Sequence, residues 1–123
     1  MKIRLHTEAV IDSAHYLRGY QGKCSTPHGH SWFLEVWVEG DNSQCDEIGI
    51  LFDFGNIKKI QEILDHKLIN GVEPFDLLNP TAENLAFWIY SELKKINSNL
   101  NYKVRLYETF VGKKTWVELG DFE

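Results

Sequence analysis

The chain has 123 residues, 25% of them charged and 43% hydrophobic, and a formal net charge of −5. That length carries one domain with a real core, and the acidic balance argues against a nucleic-acid binder, because phosphate contact normally needs a basic surface. No apolar run approaches the roughly 20 residues of a membrane span, no hydrophobic signal region opens the chain, and Cys24 and Cys45 read as free thiols of a cytoplasmic protein.

Residues 2 to 15 alternate. Ile3, Leu5, Ala9 and Ile11 take the odd register while Arg4, His6, Glu8 and Asp12 take the even one, which predicts a half-buried strand. His15 continues the apolar register if no bulge intervenes, and His6 falls on the polar side as a solvated residue. Residues 16 to 27 contain Gly19, Gly22 and Pro27 and predict a loop. A second strand runs from about His28 to Glu39. Its even register holds His28, His30, Trp32, Leu34, Val36 and Val38, and its odd register holds Phe33 and Trp37 beside Glu35 and Glu39. A small sheet with apolar residues on both faces takes helices on one side and a partner subunit on the other.

The stretch Gly49 to Gly55 leads into a helix capped near Asp53 or Asn56, with Ile57, Ile60, Ile63 and Leu64 as its stripe and an end near Asp65-His66. A loop containing Pro74, Phe75 and Pro80 follows. Thr81 then caps a second helix carrying Leu85, Trp88, Ile89, Leu93 and Ile96 on one side. A strand over Tyr102 to Thr109 and another over roughly Lys114 to Leu119 are joined by a hairpin turning at Val111-Gly112-Lys113. The order strand, strand, helix, helix, strand, strand is that of an α+β fold.

Side chains two apart on a strand point the same way, so His28 and His30 can close on one ion, and His15 supplies a third imidazole on a comparable face. Three neutral imidazoles suit Zn²⁺, and three ligands leave a fourth position open for substrate or water. Magnesium and calcium prefer oxygen. A closed structural site would need a fourth ligand, which Cys24 could supply as a Cys-His₃ set. Outside the ligand set, the same thiol, acidified by a nearby dication, can serve as a base. Asp65-His66 is a carboxylate–imidazole pair that touches only in a loop geometry, since adjacent residues on a helix diverge. Glu108 shares the register of Tyr102, Val104 and Leu106, so it is a carboxylate on an apolar face, either wet at a frayed strand end or an anchor for a ligand.

Ser13-Ala14-His15, Cys24-x-x-x-His28-Gly29-His30, Asp53-Phe54, Leu64-Asp65-His66-x-x-Ile69-Asn70, Asn79-Pro80-Thr81-Ala82-Glu83-Asn84-Leu85-Ala86 and Glu108-Thr109 appear in that order. Together they resemble the 6-pyruvoyl-tetrahydropterin synthase and 6-carboxytetrahydropterin synthase family over nearly the whole chain. The resemblance implies the tunnelling fold, in which two helices pack on one face of an antiparallel sheet and the sheets of several subunits join into a barrel. It also implies a homohexamer of two trimers. By the same resemblance His15, His28 and His30 match zinc ligands, Cys24 the catalytic base, Asp65 and His66 a proton-relaying dyad, and Glu108 the residue that grips the pterin. Thr81 falls in a segment that lines the pterin pocket in relatives. The implied substrate is 7,8-dihydroneopterin triphosphate. The short Cys-x-x-x-His spacing resembles the bacterial branch that forms 6-carboxy-5,6,7,8-tetrahydropterin and releases acetaldehyde, on the route to queuosine and other 7-deazapurines, more than the branch that stops at the pyruvoyl product.

Overall fold

Alternation in the first 41 residues builds the two longest strands. In the computed structural model, which describes residues 1–123, β1 spans Lys2–His15 and β2 spans His28–Asp41. They pair antiparallel without interruption from Lys2↔Asp41 to His15↔His28. An unbroken register preserves the two-residue period to the strand ends. Ile11, Ser13 and His15 of β1 are therefore buried on the same side as Trp32, Leu34, Val36 and Val38 of β2.

Two helices interrupt the meander. Helix α1 spans Gly55–Leu64 and buries Ile57, Ile60 and Leu64, and α2 spans Ala82–Ile96 and buries Leu85, Ala86, Ile89 and Leu93. The chain then returns as β3, Asn101–Thr109, and β4, Thr115–Gly120. The sheet order is β1-β2-β3-β4, antiparallel throughout. Both helices lie on one face, α1 beside β1 and α2 beneath β3 and β4. Twenty buried apolar residues form one contiguous core between helices and sheet.

Element ends depart from expectation by a residue or two. Strand β2 runs on to Asp41, and β4 begins at Thr115 rather than Lys114. The N-cap of α1 is Phe54, with no side-chain cap of its own. Asp53 does the capping from one position earlier, its Oδ1 accepting from Gly55 N at 2.8 Å. Thr81 caps α2 as expected, accepting from Asn84 N at 3.1 Å, while Ile96 at the far end is 43% exposed and leaves the stripe.

The face turned away from the helices is not bare. His6, expected as a solvated residue, lies 2.9 Å from Glu35 Oε2 and stacks against Trp37. Tyr107 donates to the other oxygen of Glu35 at 2.7 Å, and Arg105 bonds both Tyr107 and Glu118. Glu39 is buried against Arg4. None of the helices is long and apolar enough to cross a membrane.

Candidate functional site

The site assembles where β1 ends and β2 begins. His15 sits directly opposite His28, and Ser13 opposite His30. The three imidazole centroids lie 4.6, 5.0 and 4.9 Å apart. One ring nitrogen from each falls within 4.8 Å of the other two.

Backbone carbonyls decide which nitrogen that is. His15 Nδ1 donates to Pro80 O at 2.8 Å, and His28 Nδ1 donates to Thr26 O at 2.8 Å. A carbonyl only accepts, so each ring carries its proton on Nδ1 and leaves the Nε2 lone pair free. Nε2 of His15 and Nε2 of His30 are buried with no protein partner. Trp32 packs its ring edge-on against both, at 5.0 and 5.1 Å.

Burial pushes the basicity of His15 below the usual imidazole value, against the pull of its contact with Pro80. Burial does the same to His30, opposed chiefly by the nearby Glu108 carboxylate. Both rings are thus held neutral, the form that ligates metal. Two orphaned lone pairs and a third from His28, all nitrogen, fit a zinc ion.

The other sequence-selected residues surround this cluster. Glu108 is half-buried on the inward register of β3, beside a bulge where pairing jumps from Tyr107↔Trp116 to Thr109↔Thr115. Its charge is felt by both His15 and His30. Cys24 is half-buried in a short 3₁₀ turn, Lys23–Ser25, and its thiol is free. It does not belong to the three-donor group.

Asp65 and His66 follow the last turn of α1. His66 takes a left-handed φ of 56°, the loop geometry that adjacent residues need to meet, and its Nε2 lies 3.6 Å from Asp65 Oδ2. Strand β1 holds the pair in place. Asp12 N donates to Asp65 Oδ1 at 2.9 Å, and His66 N donates to Asp12 O at 2.6 Å. His66 and His30 line one open cleft of about 550 Å³, together with Asp12, Ser31 and Lys67. Thr81 is half-buried with its hydroxyl engaged as the cap of α2, and it reaches the cluster through the preceding carbonyl of Pro80.

Sequence reasoning had no role for Pro80 or Thr26, because a carbonyl oxygen carries no residue-type signal. The Asn-Pro-Thr run was the available hint, an extended turn entering a helix cap.

The fold has solved counterparts. A 6-pyruvoyl tetrahydropterin synthase from Caenorhabditis elegans superposes with a TM-score of 0.73 at 24% identity, covering 96% of each chain. In sequence, a 6-carboxy-5,6,7,8-tetrahydropterin synthase from Synechocystis sp. is 30% identical over 112 residues, 85% of each protein. A dihydroneopterin monophosphate aldolase from Pyrococcus furiosus is 32% identical over 123 residues, 97% of this chain and 98% of that protein. The family described as 6-pyruvoyl tetrahydropterin synthase matches residues 4–118. Since that match reaches from β1 to β4 and takes in the histidine cluster, Cys24, the Asp65-His66 pair and Glu108, the chain belongs to the 6-pyruvoyl tetrahydropterin synthase family.

Proposed function

We propose that this chain is a zinc-dependent lyase converting 7,8-dihydroneopterin triphosphate to 6-carboxy-5,6,7,8-tetrahydropterin, with loss of triphosphate and acetaldehyde. One observation carries the reading: three neutral imidazoles converge with Nε2 of two of them orphaned, while the Cys24 thiol stays outside the donor set. The name of the Synechocystis relative supports the carboxy product.

In this reading His15, His28 and His30 hold the ion, which as a Lewis acid acidifies the C–H beside a substrate hydroxyl. Cys24 takes a proton from the side chain as a thiolate. Asp65 orients His66 and stabilises its charged form, so the imidazole can return or shuttle a proton. Glu108 accepts hydrogen bonds from the pterin ring and fixes its orientation, and Thr81 lies at the wall of the ring pocket. Expulsion of triphosphate drives electrons into the ring and raises it to the tetrahydro level, and cleavage of the remaining side chain releases acetaldehyde. The product belongs on the route to queuosine and other 7-deazapurines.

Copies of the chain associate in this reading, as two trimers in a hexamer. Val10 and Trp116, 40% and 50% exposed, support it as apolar surface on the helix-free face. Two free thiols suit the cytoplasm.

The Pyrococcus relative favours a second reading, because it spans nearly all of both chains. An aldolase would cut the side chain by retro-aldol chemistry, release a two-carbon aldehyde and leave the ring at the dihydro level.

Incubation of purified, zinc-loaded protein with dihydroneopterin triphosphate or monophosphate separates these readings. Trapped acetaldehyde with a tetrahydropterin supports the lyase. Accumulation of the pyruvoyl product without acetaldehyde moves the chain to the sister synthase, and a hydroxymethyl dihydropterin moves it to the aldolase. Cys24→Ala keeps metal and loses turnover in the lyase. Loss of metal in that variant would instead mark a closed, non-catalytic Cys-His₃ site.

A further inference from the structure

Past His15 the chain leaves the sheet, yet its backbone remains paired. Tyr16 N donates to Asn70 Oδ1 at 2.9 Å, and Asn70 Nδ2 donates back to Tyr16 O at 3.0 Å. Two residues on, Arg18 N donates to Asn79 Oδ1 at 2.9 Å, and Asn79 Nδ2 donates to Arg18 O at 3.1 Å. Each side-chain amide offers one acceptor and one donor to the two backbone groups of a single residue, the exchange that a neighbouring strand would make.

Leu17 lies between these two clamps, and its N–H donates to Cys24 O at 2.7 Å. The turn that carries the thiol is therefore hung on the one residue that both amides bracket.

We propose that Asn70 and Asn79 are positioning residues for the Cys24 thiol, standing in for an absent strand and fixing the backbone on which Cys24 docks. The inference rests on the reading of Cys24 as the base. The loop that contributes both asparagines also sets the other parts of the site. Ala14 N donates to Lys67 O at 3.0 Å, His66 N bonds Asp12 O, and Pro80, next to Asn79, accepts from His15. Asn84 Nδ2 in turn donates to Asn79 O at 2.8 Å and anchors that clamp to the first turn of α2. One loop thus registers the imidazole cluster, the Asp65-His66 pair and the thiol against each other. General-base work depends on this spacing, since a misplacement near 1 Å costs about 100-fold in rate.

The test uses the zinc-loaded full chain in a Cys45→Ser background, so that iodoacetamide reports on Cys24 alone. Asn79→Ala should keep its zinc and a cooperative melt. It should shift the pH profile of Cys24 alkylation and lower kcat by about 10–100-fold with KM near the parent value. Asn79→Asp retains the acceptor for Arg18 N and should fall between, and it carries the same readouts if Asn79→Ala fails to fold. An unchanged alkylation profile and kcat in folded, metal-loaded Asn79→Ala overturns the proposal. So does a loss of zinc parallel to the loss of turnover, which would make Asn79 a support for His15 instead. The reading of Cys24 as base fails separately, through Cys24→Ala turning over like the parent.

Discussion

His15 and His28 face each other across the β1–β2 pair while giving their Nδ1 protons to different carbonyls, Pro80 and Thr26, each at 2.8 Å. Two anchors from separate loops thus turn two Nε2 atoms toward one point. His30, set by its packing on Trp32, supplies the third. Replacing His15, His28 or His30 by Ala should each weaken zinc binding by more than about 100-fold, above the range typical of losing only an outer-shell partner. Metal analysis after dialysis checks this. A variant of any one of them that retains a full equivalent of zinc would contradict it.

The metal-free protein should lose stability on mild acidification. Burial lowers the proton affinity of both His15 and His30 in the folded state, whereas in the unfolded chain they titrate near the usual 6.5. Between the folded values and 6.5 the unfolded chain binds more protons, so stability rises with pH. Urea midpoints should therefore fall as the pH drops through about 6.5 and level off, for these two groups, below both folded values. His30→Gln should flatten that fall. A midpoint that stays level or climbs between pH 7.5 and 5.5 would refute the account.

Gly120 closes β4 with φ at 154°, and a Cβ there would lie 2.6 Å from Lys103 Cα and closer still to the Tyr102 carbonyl. Neither obstacle is a flexible side chain. Gly120→Ala should cost about 2 kcal/mol or more through strain and displaced β3–β4 pairing. Denaturant unfolding measures it, with zinc bound in parent and variant alike.

Asp121 ties the end of the chain to α2 and β3. It accepts from Tyr90 Oη at 2.5 Å and Tyr102 N at 3.0 Å, and pairs with Lys94 at 3.0 Å. The hydrogen bond from Tyr90 to this carboxylate, then burial, push the Tyr90 hydroxyl up to about 12. Asp121→Asn should return one phenol toward the usual 10, read as tyrosinate absorbance during an alkaline titration. An unaltered titration curve would remove Asp121 from that role.

What could be read from residue order alone followed the two-residue period. It placed His15, His28 and His30 on one face because β1 and β2 pair from end to end without a bulge, so counting from Ile11 or Trp32 reached the strand ends without error. Glu108 was found by the same count along β3. The rest depends on chain geometry that residue types do not announce. The left-handed turn at His66 lets it meet Asp65. Asp53 caps α1 from outside the helix, since its short side chain reaches Gly55 N through a turn of its own. His6 finds Glu35 only because β2 lies beside it. Asn70 and Asn79 bond residues more than fifty positions away, and no local pattern marks such a reach.

The unbroken pairing of β1 with β2 also bears on how this chain can change length. Adding or deleting one residue between Ile11 and His15, or between His30 and Trp32, would swing an imidazole to the opposite surface and scatter the cluster. Length variation tolerated here is confined to the loop from Tyr16 to Pro27, or comes in pairs that restore the facing. Counting parity guards the catalytic end of the sheet as firmly as any one side chain does.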